Sequence, residues 1–222
     1  MNQEHYVITI GRQMGSGGAS MGKALAKHFG FQYIDKAILI KSARMLDIPV
    51  EKLEWIEEKE FSLKRAFLQS HIYDMPYIPQ EWYLPTGRKL FETQSKIIYR
   101  SVAESSSVVV GRCGAYLFRD YPKCVSIFLH SDLESRIARL RERHGLSDDE
   151  ARDYISDSDK ERGRYYKTFA RRGWLDLTGY DLSIDSSRNN EEQVKQIIIE
   201  YIYTRFPELR EHHPAATEAD FE

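Results

Sequence analysis

Five short runs of aliphatic and β-branched residues punctuate the chain: Tyr6–Ile10, Phe31–Ile34, Val108–Val110, Cys124–Leu129 and Leu182–Asp185. Their hydrophobicity is continuous instead of alternating, which is how strands covered on both faces read. Between them the apolar positions recur every three or four residues. Met21, Ala24, Leu25, His28 and Phe29 share one helical face, and Gly30 ends it. Lys36–Leu46 turns Ile38, Leu39 and Ala43 inward, and Pro49 suits the first residue of a helix through about Glu60. Thr86 predicts a cap for a helix striped by Leu90, Phe91, Gln94, Ile97, Ile98 and Val102. Ser131-Asp132-Leu133-Glu134 and Ser147-Asp148-Asp149-Glu150 have the pattern of capping boxes. The first opens a helix that Gly145 closes, the second a longer helix through about Tyr166. A last helix spans Glu191–Arg205, stopped by Pro207, and the acidic tail after it reads as disordered. Strands alternating with helices predict an α/β fold, a parallel sheet with helices on both faces.

One stretch fits neither period. Between Phe61 and Gly87, Pro76, Pro79 and Pro85 stand among Tyr73, Tyr77, Trp82 and Tyr83. We read it as an irregular, aromatic-rich insertion over the binding side, mobile without substrate. No internal repeat or inter-domain linker interrupts the chain, so 1–222 is expected to be a single domain.

Composition narrows the classes. At 222 residues and 41% hydrophobic, the chain is long enough for a real core and is globular. Lys+Arg 32 against Asp+Glu 34 leaves a net charge of -2, which argues against nucleic acid or an anionic membrane surface as partner. Cys113 and Cys124 are too few for a disulfide scaffold and lack metal-ligand spacing, as do the seven histidines; no metal ligand is assigned. The first residues show no basic segment followed by an apolar stretch, so no leader is expected, and no apolar run approaches the ~18 residues of a membrane span. The expectation is a soluble cytoplasmic protein of unspecified oligomeric state.

Chemistry enters directly after the first run, in "GRQMGSGGAS". A phosphate cradle needs backbone N–H groups turned inward with a helix N-terminus behind them, and glycines let the phosphate approach. Gly11, Gly15, Gly17 and Gly18 meet that need. The full pattern, G-x-x-x-x-G-K-[ST], fits in two registers. One uses Gly17, Gly22 and Lys23, but Ala24 replaces the hydroxyl residue and the loop starts well beyond the strand. The other starts at the strand and places Gly18 where lysine belongs; we prefer it. Arg12, the basic residue within the loop, can then bridge phosphate oxygens in the lysine's stead, or simply pair with a carboxylate. Elsewhere, Arg136, Arg139 and Arg143 share one helix face, and Lys160, Arg162, Arg164, Lys167, Arg171 and Arg172 form the most basic stretch. With Tyr165, Tyr166 and Trp174 nearby, that stretch also suits single-stranded nucleic acid, a reading the overall charge disfavours.

In "VITI" and the glycine loop, then "FQYID", "VVVGR", "SIFLHSDLESRIARLRER", "DKERGRYY" and "DLSIDSS", the chain resembles the cytidylate kinase-like family, among the nucleoside monophosphate kinases. The resemblance implies a three-layer P-loop kinase fold with a five-stranded parallel sheet in the order 2-3-1-4-5. Around a core of about 1–48 and 105–206 it implies a helical acceptor-side insertion at about 49–104 and a lid at about 145–175. It implies that Gly15, Ser16, Gly17, Gly18, Ala19 and Ser20 hold the donor phosphates and that Arg136 and Arg139 start the lid. Ser186 and Ser187 would lie on the adenine side. Asp35, Lys36 and Arg112 would hold the acceptor, and Arg162 and Arg164 would reach the acceptor and transferred phosphates.

The expected activity is transfer of the γ-phosphoryl of ATP, with Mg2+, to a small phosphate-bearing acceptor, a nucleoside monophosphate such as CMP. The residues Arg12, Arg112, Arg162 and Arg164 are its catalytic candidates. Two departures matter. Gly18 removes a charge-assisted contact of the order of 1.5–3 kcal/mol, and Val110 stands where the family carries an acid. These leave two other readings: a nucleotide-binding pseudokinase or sensor, and a kinase for a non-nucleotide small molecule.

Overall fold

The computed structural model describes residues 5–35 and 84–212. The predicted helices of 36–60 and most of the insertion therefore lie outside the described residues. The apolar runs form the strands: β1 (Val7–Arg12), β2 (Gln32–Ile34), β3 (Ser107–Val110), β4 (Cys124–His130) and β5 (Leu182–Asp185). All pairs are parallel, in the order β2-β3-β1-β4-β5. The central strand outreaches its neighbour β3: past Ile10, Gly11 pairs with Phe128 and Arg12 with Leu129 on β4, where β3 has already ended.

Alternation along the strands assigns the two faces. Ile8 and Ile10, with Val108, Val110, Val125 and Ile127, meet Met21, Leu25 and Phe29 of α1 (Gly18–Phe29). On the other face Val7 and Val109 meet Ile97, Ile98 and Val102 of α2 (Leu84–Glu104) and Phe118 beyond α3 (Gly114–Leu117). The C-terminal half of α2 is thus part of the sheet's packing, although the sequence placed it in the insertion. Its start also differs: the helix begins at Leu84 with Pro85 in its first turn, where proline costs no hydrogen bond, so Thr86 is inside the helix and not its cap.

Further along, α4 (Leu133–His144) is capped by Asp132, whose carboxylate accepts from Ser135 N–H at 2.7 Å; the cap is Asp132 and not Ser131. Gly145 closes it in the left-handed conformation. The Ser147/Glu150 capping box opens α5 (Asp148–Ala170) as predicted. That helix outlasts Tyr166 because Phe169 and Ala170 continue its apolar stripe, and Arg171 takes the left-handed cap at φ 54°. Next, α6 (Glu191–Arg205) joins α1 on the first face, burying Val194, Ile198 and Ile202. Residues 208–212, placed by sequence in a disordered tail, instead form α7 (Glu208–His212), with Leu209 buried in the core; 213–222 are outside the described residues. No helix among the described residues is long and apolar enough to cross a membrane.

The order creates one crevice. From β1 the chain leaves to one side and one face; from β3 it leaves to the other side and the other face. Open parallel sheets bind ligands outside the strand C-termini at such a switch point. Here that point brings together the glycine loop after Arg12 and the turn after Val110.

Candidate active site

The loop between β1 and α1 is held by its carbonyls. Gln13 O accepts from Ser16 N–H at 3.3 Å and from Ser16 Oγ–H at 2.9 Å. Met14 O accepts from Arg136 Nε at 2.6 Å, Gly15 O from Arg139 Nη1 at 3.1 Å, and Ser16 O from the buried Ser186 hydroxyl at 2.9 Å. A trans peptide points its N–H opposite its C=O. Pulling these carbonyls toward α4 and the end of β5 therefore turns the amides of Gly15 and Gly17 to the other side. Gly17 adopts φ 85° as the cap of α1, and a Cβ there would meet no atom within 4 Å. The N–H groups of Gly18, Ala19 and Ser20 follow in the first turn, where a helix has no internal partner for them; the first helical bond is Met21 N–H to Gly17 O. Amides facing open space at a helix N-terminus are what an anion requires.

Behind the loop stands a residue that sequence reading passed over. Asp159 accepts from the Met14 N–H at 2.9 Å, from Arg136 Nη2, and from Arg162 Nη1 at 3.2 Å. It lies in the quoted "DKERGRYY", but its partners come from elsewhere in the chain, Met14 from 145 positions away. The one sequence signal was its spacing, three residues before Arg162 on a helix.

On the open side the predicted arginines converge. Arg12, 22% exposed, has its Nη2 4.0 Å from Asp35 Oδ1. Burial first, then the positive fields of Arg162 and Arg112, lower the Arg12 guanidinium to about 10, against the upward pull of Asp35; it stays a cation at neutral pH. Asp35 in turn accepts from the Tyr33 hydroxyl at 2.9 Å. Arg112 is delivered by an unusual backbone: Gly111, Arg112 and Cys113 follow β3 with φ of 75°, 52° and 55°. Left-handed non-glycine residues each cost of order 1–3 kcal/mol and persist where the surroundings dictate them. The Cys113 thiol is pushed up to about 12 by burial, so it is no nucleophile at neutral pH. Beside Arg112, burial raises the Tyr165 phenol to about 12, and its O–H donates to Gln94 Oε1 at 3.2 Å.

Not every predicted residue joins this group. Arg164 is exposed, about 200° around α5 from Arg162 by helical geometry. Arg136 and Arg139 reach the loop, but their donors go to its carbonyls, to Asp159 and to Ser186. Ser187 donates to Asp185, and Ser20 Oγ accepts from Arg143 Nη2 at 2.6 Å. Lys23 is exposed, its ammonium 6.0 Å over the Tyr33 ring. Lys36 lies outside the described residues. Val110 is fully buried, with Gly22 of α1 packed on it closely enough that a Cβ there would lie 2.5 Å from Val110 Cγ2.

Comparison with known proteins identifies the family and the fold. The model of the cytidylate kinase-like family matches residues 7–188. A cytidylate kinase of Methanopyrus kandleri is 28% identical over 201 residues, covering 86% of this chain and 90% of that protein. One of Sulfolobus acidocaldarius is 25% identical over 193 residues, covering 86% and 91%. Among solved structures, an uncharacterized protein from Eubacterium ventriosum superimposes with a TM-score of 0.67 at 24% identity, covering 89% of this chain and 98% of that one.

Proposed function

The chain belongs to the cytidylate kinase-like family of phosphotransferases, and on that premise we propose that it moves the γ-phosphoryl of ATP to a nucleoside monophosphate, CMP first among them. The observation that carries the reading is the glycine loop with Arg12 beside it, lying against Gly18 and 4.0 Å from Asp35, and Arg112 and Arg162 near enough to bear on its charge. Phosphoryl transfer needs little covalent chemistry from a protein; it needs positioning and positive charge around a loose, spread-out transition state. In the proposed step the bond from the γ phosphorus to its bridging oxygen breaks, and one forms to an oxygen of the acceptor phosphate. The charge left on ADP and on the transferring group falls among the loop amides and Arg12. Arg112, after β3, faces the acceptor phosphate, and Arg162 stands between the two. Asp35 orients Arg12 and the acceptor side, with Lys36 next to it in sequence. We place the reaction in the cytoplasm, where the unpaired Cys113 and Cys124 stay reduced.

Magnesium has few protein donors here. Among the described residues no group of three or more His, Cys, Asp or Glu could hold a metal, and Val110 replaces the strand-end acid. The described residues therefore form no resident magnesium site of their own. Val110 and Gly18 are also what favours the competing reading, a nucleotide-binding protein with little transfer.

The deciding assay couples ADP release to a panel of nucleoside monophosphates with ATP and magnesium. We expect acceptor-dependent ADP release, greatest with CMP. Nucleotide binding without release from any acceptor overturns the proposal in favour of the sensor reading.

A further inference from the structure

Glycine at position 18 has a steric cause, not a conformational one. Gly18 opens α1 with a negative φ that any residue adopts. Its neighbour Gly17, at φ 85° with open space around it, is the contrasting case. What excludes a side chain at 18 is Arg12. A Cβ there would lie 2.7 Å from both Cβ and Cγ of Arg12 and 3.5 Å from its Cδ. Those atoms sit next to the β1 backbone and cannot swing away as a side-chain tip would. The arm of Arg12 thus lies across the position from which a P-loop lysine would start.

The other end of the arginine is seated the same way. A Cβ on Gly111 would fall 1.8 Å from Arg12 Nη1, so the guanidinium in this pose takes the space where a side chain at 111 would begin, and the φ of 75° there favours glycine on its own account. Two glycines, one after β1 and one after β3, bracket a single side chain, one beneath its arm and one beneath its guanidinium. Asp35 at 4.0 Å holds the guanidinium electrostatically without occupying its donors in a hydrogen bond. The planar fork therefore remains able to grip two phosphate oxygens.

We infer that Arg12 and a lysine at position 18 are mutually exclusive ways of placing one cation over the donor phosphates, and that this chain is built for the arginine, with Gly18 and Gly111 as its seat. The inference rests on the reading that the loop holds a nucleoside triphosphate.

The test combines Arg12→Ala, Gly18→Lys, the double variant Arg12→Ala/Gly18→Lys, and Lys23→Ala as control. Each is measured for thermal unfolding, for calorimetric binding of a non-hydrolysable ATP analogue, and for transfer to CMP. Arg12→Ala should stay folded, bind the analogue about tenfold more weakly or worse, and lose transfer on the order of a thousandfold. Gly18→Lys alone should melt below wild type, because Arg12 is displaced. The double variant should regain the melting temperature and recover about tenfold or more of the lost affinity, while Lys23→Ala behaves as wild type. A folded double variant that binds no better than Arg12→Ala overturns the inference. So does a Gly18→Lys protein as stable as wild type, or a Lys23→Ala loss equal to that of Arg12→Ala. Binding needs no acceptor: if wild type shows no transfer but the binding pattern holds, the transfer reading fails and the exchange stands.

Discussion

The glycine loop has two sides, and arginines serve them differently. On the carbonyl side, Arg136 is 6% exposed, and it and Arg139 give their donors to Met14 O, Gly15 O, Ser131, Ser186 and Asp159. Toward the amide side, Arg12 and Arg112 meet Arg162, whose donors are held by Asp159 and Met14 Sδ, close enough for their charges to oppose one another at Arg12. The first arrangement lowers the energy of the fold. In the second, like charges oppose one another at Arg12 in a partly desolvated crevice, against the pull of Asp35 on Arg12 and of Asp159 on Arg162, and an incoming anion relieves that opposition further. A protein keeps such a cluster where a ligand repays it, so the two sides separate what holds the loop from what the loop holds.

That contrast is broken or confirmed most directly by exchanging one arginine from each side for alanine. Arg162→Ala should lower transfer on the order of a hundredfold or more, with a smaller fall in melting temperature than Arg136→Ala, because Asp159 keeps Arg136 and the Met14 amide. Arg136→Ala leaves Met14 O without its donor and Asp159 short of a cation. It should cost about 2–4 kcal/mol of stability, seen as a melting point lower by roughly 5–10 °C, with a smaller effect on turnover of the folded fraction. An Arg136→Ala protein that melts like wild type yet transfers nothing would place Arg136 on the phosphate side, as the family resemblance alone implies.

Asp159 sharpens the comparison because it bonds an arginine of each kind, Arg136 and Arg162, along with the Met14 amide. It is a positioning residue: it aims Arg162 and ties α5 to the loop. Asn at 159 can still accept from Met14 N–H, but it brings no charge and turns an amide toward two guanidiniums. We expect KM for ATP to rise about tenfold with kcat less affected. A fall in kcat at unchanged KM would instead put Asp159 in the transition state.

The sequence made the scaffold legible where local chemistry decides it. Buried strands announce themselves by Val and Ile runs, Gly30 and Gly145 by the left-handed caps they provide, and the Ser147/Glu150 box by its spacing. Errors fell where two neighbours compete for one role. Ser131 and Asp132 both cap well, and the carboxylate won; Ser131 N–H is bonded instead to Gln13 Oε1, a partner 118 positions away. In the candidate site, the loop and the arginines near it were named by motif and resemblance, but their sidedness was not legible. Which donors face carbonyls depends on α4 packing behind the loop, and Asp159 acquires meaning only from Met14. The Arg12–Gly18 clash was also out of reach, since five residues of loop separate two positions that touch only after the loop folds back.

The smallest effect tests the carbonyl side through its foundation. Arg136 and Arg139 can hold the loop only if α4 starts where it does, and Asp132 fixes that start. The Ser135 amide, hydrogen-bonded to the Asp132 carboxylate, keeps that carboxyl below the ordinary range, with Ser187 and Arg139 adding to the effect. A carboxyl whose folded pKa is lowered contributes stability that is fully present above its unfolded value, near ~4, and is lost as pH falls through the folded one. Asp132→Asn keeps an acceptor for Ser135 N–H, since asparagine caps helices about as well, but it cannot titrate. At neutral pH the variant should match wild type in turnover, with a slightly lower melting temperature. As pH falls into the acid range, the difference between the two melting curves should shrink, because wild type loses the ionised cap and the variant has none to lose. A difference that stays constant down to the acid transition would mean that the charge of Asp132 does not support α4, and that the carbonyl side is held by Arg136, Arg139 and Ser186 alone.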